Sequence, residues 1–180
     1  MAVEISAAIN GERVTRHVPD DQLLCDFLRE GLGLLGTRVG CNEGVCGSCT
    51  VLVDGQQVRA CLMLAAQVDG CDVLTVEGLA TGPRRRELHP LQRAFIEYGA
   101  VQCGFCTSGL LIASKALLDA NPHPTEAEIR EALAGNLCRC TGYGKVVEAV
   151  AAAAGMMADP IDGRRGADET LASPAERATP

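Results

Sequence analysis

Along this chain the spacing of hydrophobic and polar residues changes from a period of two to a helical period. Residues 3–9 alternate well enough for a strand, Asn10-Gly11 is a strong hairpin signal, and residues 13–18 return as its partner. Asp20 or Asp21 stands where an N-cap belongs, ahead of Leu23, Leu24, Phe27 and Leu28, whose spacing lays one apolar face along a helix. A second hairpin is predicted from residues 50–53, the turn Asp54-Gly55 and residues 57–63, with residues 72–76 a last short strand. Between Leu79 and His89 the text turns polar, with Gly82-Pro83 and the run Arg84-Arg85-Arg86. This predicts a linker whose arginines form a solvated turn rather than a dock for an acidic partner. Beyond it, residues 89–99, 107–120, 125–134 and 146–157 predict four helices. Thr125 and Glu128 spell a capping box after Pro124, Asn121-Pro122 stops the helix before it, and Gly135 ends the helix after it. Short connections imply antiparallel neighbours. Residues 159–180 show Gly, Pro, Ala and mixed charge without a period, as a flexible or partner-draped tail does. The expectation is an α+β chain with a β-rich domain at 1–79, a linker at 80–88, a helical domain at 89–158 and a tail at 159–180.

Composition narrows the function classes. The 180 residues are 47% hydrophobic and 22% charged, enough for real cores. No apolar run is long enough to cross a bilayer, so no membrane insertion is expected. A net charge of −7, no Trp, two Tyr and three Phe oppose a nucleic-acid role by leaving neither phosphate attraction nor stacking platforms. The first residues, Met1-Ala2-Val3-Glu4-Ile5-Ser6, carry neither a secretory pattern nor a twin-Arg pair. The ten cysteines are therefore expected as free thiols in a reducing cytoplasm rather than as disulfides.

Eight of those cysteines fall into two groups of four. The first is Cys41-x4-Cys46-x2-Cys49 with Cys61 twelve positions on; its opening run is the plant-type ferredoxin spacing. The second pairs Cys103-x2-Cys106 with Cys138-x-Cys140. Each set offers four thiolates, the ligand number of a [2Fe–2S] centre. The loop from Gly36 to Cys49 is rich in glycine, and Gly40, Gly44 and Gly47 allow both positive φ and close approach of backbone N–H groups to anionic sulfur. The second set lies at the ends of predicted helices, where free N–H groups and the positive dipole end favour anionic sulfur. Two loaded clusters would bring the charge to about −11. Structural zinc is the competing occupant, but it commonly uses two C-x2–4-C knuckles, which neither set resembles. Cys25 and Cys71 lie outside both spacings and read as small buried hydrophobes.

The text Gly40-Cys41-Asn42-Glu43-Gly44-Val45-Cys46-Gly47-Ser48-Cys49-Thr50 carries a family resemblance, as do Gln102-Cys103-Gly104-Phe105-Cys106-Thr107 and Gly135-Asn136-Leu137-Cys138-Arg139-Cys140-Thr141-Gly142-Tyr143. With these stretches the chain resembles the small iron–sulfur subunit of the molybdenum hydroxylases, the xanthine oxidase family, over about residues 3–155. The resemblance implies a plant-ferredoxin-like (β-grasp) domain followed by an all-α four-helix domain, each holding one [2Fe–2S] cluster. It further implies a large subunit with molybdopterin (Mo), a medium subunit with FAD, and a heterotrimer or its dimer. The helical-domain cluster would lie nearer the molybdenum, with Gln102 and Cys140 beside the pterin, and the ferredoxin-domain cluster nearer the flavin. One departure is Ser108, where the family usually has Pro; Ser at a helix start is chemically reasonable.

The leading expectation is an electron-transfer subunit of a molybdenum-dependent hydroxylase or dehydrogenase. An independent two-cluster carrier and a zinc-stapled interaction module are the alternatives. No catalytic residue is expected in this chain. The string from Gly31 to Gly36 matches GxGxxG but follows a helix, so a turn is expected there. His17, His89 and His123 are scattered, and neither a nucleophile elbow nor a catalytic carboxylate pair is legible.

Overall fold

The computed structural model describes residues 1–82 and 87–158. The arginine run at 84–86 and the tail at 159–180 lie outside the described residues. Strands β1 (Ala2–Ile9) and β2 (Glu12–Pro19) form a hairpin in which Ile9 faces Glu12. Asn10 and Gly11 sit between them at φ 53 and 80. Both central residues of the tightest twisted hairpin need positive φ, which is why Asn-Gly works there. Strands β3 (Thr50–Val53) and β4 (Gln56–Arg59) repeat the device around Asp54 and Gly55, at φ 48 and 78. β5 (Asp72–Leu74) completes a mixed sheet of order β2-β1-β5-β3-β4, in which only the β1–β5 pair is parallel.

The first helix differs from expectation. Helix α1 spans only Leu24–Asp26 and runs on as a wider turn through Phe27–Gly31. Neither Asp20 nor Asp21 caps it; Leu23 occupies the cap position without a side-chain bond, and Asp20 pairs with the Met1 amino group. The helix starts where tertiary acceptors exist: Leu24 N–H donates to the Met63 carbonyl at 2.7 Å and Cys25 N–H to that of Ala60 at 3.0 Å. Cys61 also departs from the predicted strand. β4 ends at Arg59, and Cys61 lies in the turn that follows, closed by Leu62 N–H on the Arg59 carbonyl. The GxGxxG string is a turn, with Gly33 at φ 72 and the Gly36 N–H on Glu77.

Helices α2 (Pro90–Glu97), α3 (Thr107–Ala120), α4 (Glu126–Leu133) and α5 (Gly144–Ala158) follow. Thr125 Oγ1 accepts from Glu128 N–H, and Glu128 accepts from Thr125 N–H at 2.7 Å, which closes the capping box. His89 caps α2, its Nδ1 accepting from Leu91 N–H at 3.2 Å. His17 on β2 and His123 between α3 and α4 are exposed.

Two apolar cores result. Ile5, Ile9, Leu24, Phe27, Val51, Val53 and Val73 build one against α1; Leu91, Phe95, Leu110, Ile112, Ile129 and Val150 build the other among α2–α5. β3 is buried along its whole length because it faces both: Val51 and Val53 enter the first core, and Leu52 enters the second. That strand fixes the helices to the sheet, and the two cysteine groups lie beside this junction.

Candidate metal centres

The first four cysteines are placed by the β3–β4 hairpin. Cys49 precedes β3 and Cys61 follows β4, and the antiparallel register (Thr50 opposite Arg59) brings their sulfurs to 3.4 Å. Both are buried. Cys41 and Cys46 occupy the outer part of the loop, where the N–H groups of Cys46 and Glu43 donate to Cys41 Sγ at 3.3 and 3.5 Å. Gly44 and Gly47 have φ 80 and 74, and Asn42 shares that left-handed region at 58. Gly40 does not; it matters for approach, since a Cβ there would stand 3.2 Å from Cys46 Sγ and 3.1 Å from the Phe105 ring.

The second four sit where helices begin and end. Cys106 is the N-cap residue of α3, and Gly104 at φ 80 turns the chain back towards Cys103. Cys138 and Cys140 lie between α4 and α5. The sulfurs of Cys103 and Cys140, both exposed, are 3.5 Å apart. Thr141 donates to Cys138 Sγ twice, from N–H at 3.4 Å and from Oγ1 at 3.0 Å.

Each group contains thiols shifted in both directions: Cys41 down and Cys49 up in the first, Cys103 and Cys138 down and Cys106 and Cys140 up in the second. The N–H groups of Cys46 and Glu43 lower Cys41 to about 7, whereas burial raises Cys49 to about 11. Burial acts to raise Cys138, but hydrogen bonds from Thr141, the Cys140 N–H and Cys106 together outweigh it and leave that thiol at about 7. Burial pushes Cys106 up to about 12. Among the described residues no three Cys, His, Asp or Glu side chains converge on a single metal ion. The sulfurs come in pairs, which suits a two-iron centre better than one tetrahedral zinc. All-thiolate donors, N–H groups aimed at Cys41 and Cys138, and glycine at position 40, where a Cβ would crowd Cys46 Sγ, fit an anionic iron–sulfur cluster.

Comparison with known proteins agrees. Residues 7–75 match the 2Fe-2S iron-sulfur cluster binding domain, and residues 75–151 match the [2Fe-2S] binding domain. The nicotine 6-hydroxylase small subunit of Paenarthrobacter nicotinovorans is 52% identical over 155 residues, covering 86% of this chain and 92% of the relative. The nicotinate dehydrogenase small FeS subunit of Eubacterium barkeri is 47% identical, covering 82% of this chain and 92% of the relative. The crystal structure of quinoline 2-oxidoreductase from Pseudomonas putida 86 superimposes with a TM-score of 0.82 at 47% identity, covering 86% of this chain and 95% of that one. The chain belongs to the small iron–sulfur subunits of the molybdenum hydroxylases. It is the electron-transfer component of an oxidoreductase complex, and its two [2Fe–2S] binding domains lie in the order expected from the cysteine spacings. No described helix is long and apolar enough to cross a membrane.

In this iron–sulfur subunit the two cysteine groups are joined by polar contacts that local sequence patterns do not reveal. Leu137 N–H donates to the Cys46 carbonyl at 2.9 Å. Asn136, buried, donates from Nδ2 to the Gly47 carbonyl at 2.9 Å and to Thr50 Oγ1 at 3.2 Å. Arg59 donates to Thr50 Oγ1 at 2.6 Å and to the Gly135 carbonyl at 2.7 Å. Tyr143, at φ 66, accepts from Cys138 N–H at 2.7 Å and donates to the Asn136 carbonyl at 3.3 Å, bracing the loop from inside. Asn136 and Tyr143 lie within the stretch that carries the family resemblance; Arg59 gives no signal in the sequence.

Gln102 is exposed next to exposed Cys103. It does not cap α3, since Cys106 holds that position. Ser108 lies in the first turn of α3 and leaves the helix unbroken; its buried Oγ has no hydrogen-bond partner among the described residues. Cys25 is fully buried, pushed up to about 12 by burial, and its thiol points to Asp26. The Cys71 thiol bonds to the Gln67 and Asp69 carbonyls of its own turn and to the Asp54 carboxylate. Both thiols stand outside the pairs.

Proposed function

We propose that Cys41, Cys46, Cys49 and Cys61 hold one [2Fe–2S] cluster and Cys103, Cys106, Cys138 and Cys140 the other. On this reading the chain carries electrons from molybdopterin (Mo) in a large partner subunit to FAD in a medium one, within a cytoplasmic heterotrimer or its dimer. Residues 1–79 are the ferredoxin-like β-grasp domain, 80–88 the linker and 89–158 the four-helix domain. Each cluster, when bound, supplies a one-electron redox centre. The observation that carries the reading is the pairing of sulfurs, Cys49 with Cys61 at 3.4 Å and Cys103 with Cys140 at 3.5 Å. The protein's own part is to supply thiolates, aim N–H donors at them and hold the two groups at a fixed separation. Gln102 and Cys140 face the pterin on this reading, Gln102 offering both a donor and an acceptor to a polar heterocycle edge.

Iron and acid-labile sulfide analysis with electron paramagnetic resonance of the reduced protein tests it. Two distinct [2Fe–2S] signals are expected. A colourless, zinc-loaded protein would refute the reading. Elution of this chain from its native source without molybdenum or larger subunits would favour an independent carrier.

A further inference from the structure

The Gly47 carbonyl oxygen accepts from three donors: Thr50 N–H at 3.1 Å, Thr50 Oγ1 at 2.5 Å and Asn136 Nδ2 at 2.9 Å. Donor and acceptor roles are forced. Arg59 and Asn136 both donate to Thr50 Oγ1, so the threonine's own proton is free for Gly47. Asn136 is 1% exposed and its Oδ1 has no partner among the described residues. Rotating the amide would press that oxygen against another acceptor, so Nδ2 stays on Gly47. Gly109 on α3 completes the enclosure, because a Cβ there would collide with the Gly47 carbonyl and stand 2.9 Å from Asn136 Nδ2.

No described peptide is cis, so the N–H of Ser48 points away from the Gly47 carbonyl. Donors on a carbonyl polarise the peptide and strengthen its N–H as a donor. We propose that Asn136, two residues from Cys138, is a positioning residue for the opposite site. It orients and polarises the Gly47–Ser48 peptide so that the Ser48 N–H faces the sulfurs of the cluster held by Cys41, Cys46, Cys49 and Cys61. The inference rests on the two-cluster reading above. A hydrogen bond to sulfur favours the reduced, more negative state and raises the reduction potential. A residue of one loop thereby tunes the other loop's redox centre.

The test is a redox titration of the full-length chain in its complex, followed by electron paramagnetic resonance, for wild type, Asn136→Ala and Gly109→Ala. The first-site signal is assigned as the one that Cys49→Ser abolishes. In both variants it is expected to fall in potential enough to change the reduced-to-oxidised ratio about tenfold at the wild-type midpoint, about 59 mV for one electron. The second-site signal, although nearer to Asn136 in sequence, should move less than about threefold in the same ratio. Iron content and visible absorbance report whether each variant is loaded. If Asn136→Ala fails to load, Gly109→Ala decides, since it keeps the Asn136 side chain but crowds a methyl against both its Nδ2 and the Gly47 carbonyl, disturbing the bond between them. A larger shift at the second site, or no shift at either, would overturn the assignment. A wild type lacking two iron–sulfur signals would instead overturn the parent reading.

Discussion

Gly47→Ala, set against Gly55→Ala, separates backbone strain from interlocking of the two halves. Both glycines hold left-handed backbone, at φ 74 and 78. At Gly55 a Cβ meets nothing within 4 Å, so alanine there costs only the left-handed conformation, about 1–2 kcal/mol. At Gly47 the Cβ would collide with the Gly135 carbonyl and stand 2.9 Å from the Asn136 Cα, both backbone atoms that cannot rotate aside. Overpacking adds about 1–3 kcal/mol, so the total is about 2–5 kcal/mol. For a chain of this size 1 kcal/mol shifts the melting temperature by about 2–4 °C. Gly55→Ala should then melt about 2–8 °C below wild type, and Gly47→Ala about 4–20 °C below. Melts followed by circular dichroism at one fixed scan rate compare them fairly even when unfolding is irreversible. Equal shifts for the two variants would show that the Gly47 loop does not interlock with the Gly135–Asn136 segment.

Cys46→Ser or Cys49→Ser should abolish one paramagnetic signal and spare the other, while Cys106→Ser or Cys138→Ser should do the reverse; loss of both signals from one stably folded variant would refute independent sites. Gln102→Leu in the assembled complex should keep both signals but slow reduction by substrate in anaerobic rapid mixing, leaving a polar partner unpaired at about 1–3 kcal/mol; unchanged reduction would assign Gln102 a surface role. Thr125 bonds hold the Glu128 carboxyl below its ordinary pKa, so that contribution to stability is present above the unfolded value and lost as pH falls through the folded one. Acid titration of the melting temperature through the carboxylate range, near pH 4, should accordingly fall less steeply in Glu128→Gln. Burial lowers the His89 pKa, so stability should decline as pH drops from about 6.5 towards the lowered value. His89→Asn, which keeps a capping acceptor, should flatten that decline.

Features set by neighbouring residues were legible in the sequence. Asn10-Gly11 and Asp54-Gly55 place positive φ where a two-residue hairpin requires it, and Thr125 with Glu128 closes a cap within one turn. The cysteine spacings put three of the first four in one loop, and the sulfurs of Cys49 and Cys61 meet at 3.4 Å. What escaped was set at long range. Helix α1 begins without an aspartate cap because carbonyls of Met63 and Ala60, about forty residues on, take its first N–H groups. Cys61 likewise sits off the strand, in the turn closed by Leu62 N–H on the Arg59 carbonyl. Gly40 was expected to serve by both positive φ and close approach and serves by clearance alone, in part against a ring 65 positions away in sequence. Asn136 and Arg59 carried no local pattern, since their partners lie 89 and 76 positions away.

The junction between the two cysteine groups joins a buried apolar contact to a hydrogen-bonded rim. Leu52 and its neighbours seal β3 against the helices, but apolar packing is non-directional and tolerates small slides. The bonds from Leu137 to Cys46, from Asn136 to Gly47 and from Arg59 to Gly135 are directional and mostly end on backbone carbonyls. Glycines at 47, 109 and 135 let those backbones approach without side chains between them. A centre that exchanges substrate tolerates loops that open and close. A chain whose task is to hold two redox centres at one separation does not, and a rim of directional bonds onto backbone carbonyls, beside a sealed strand, holds that separation.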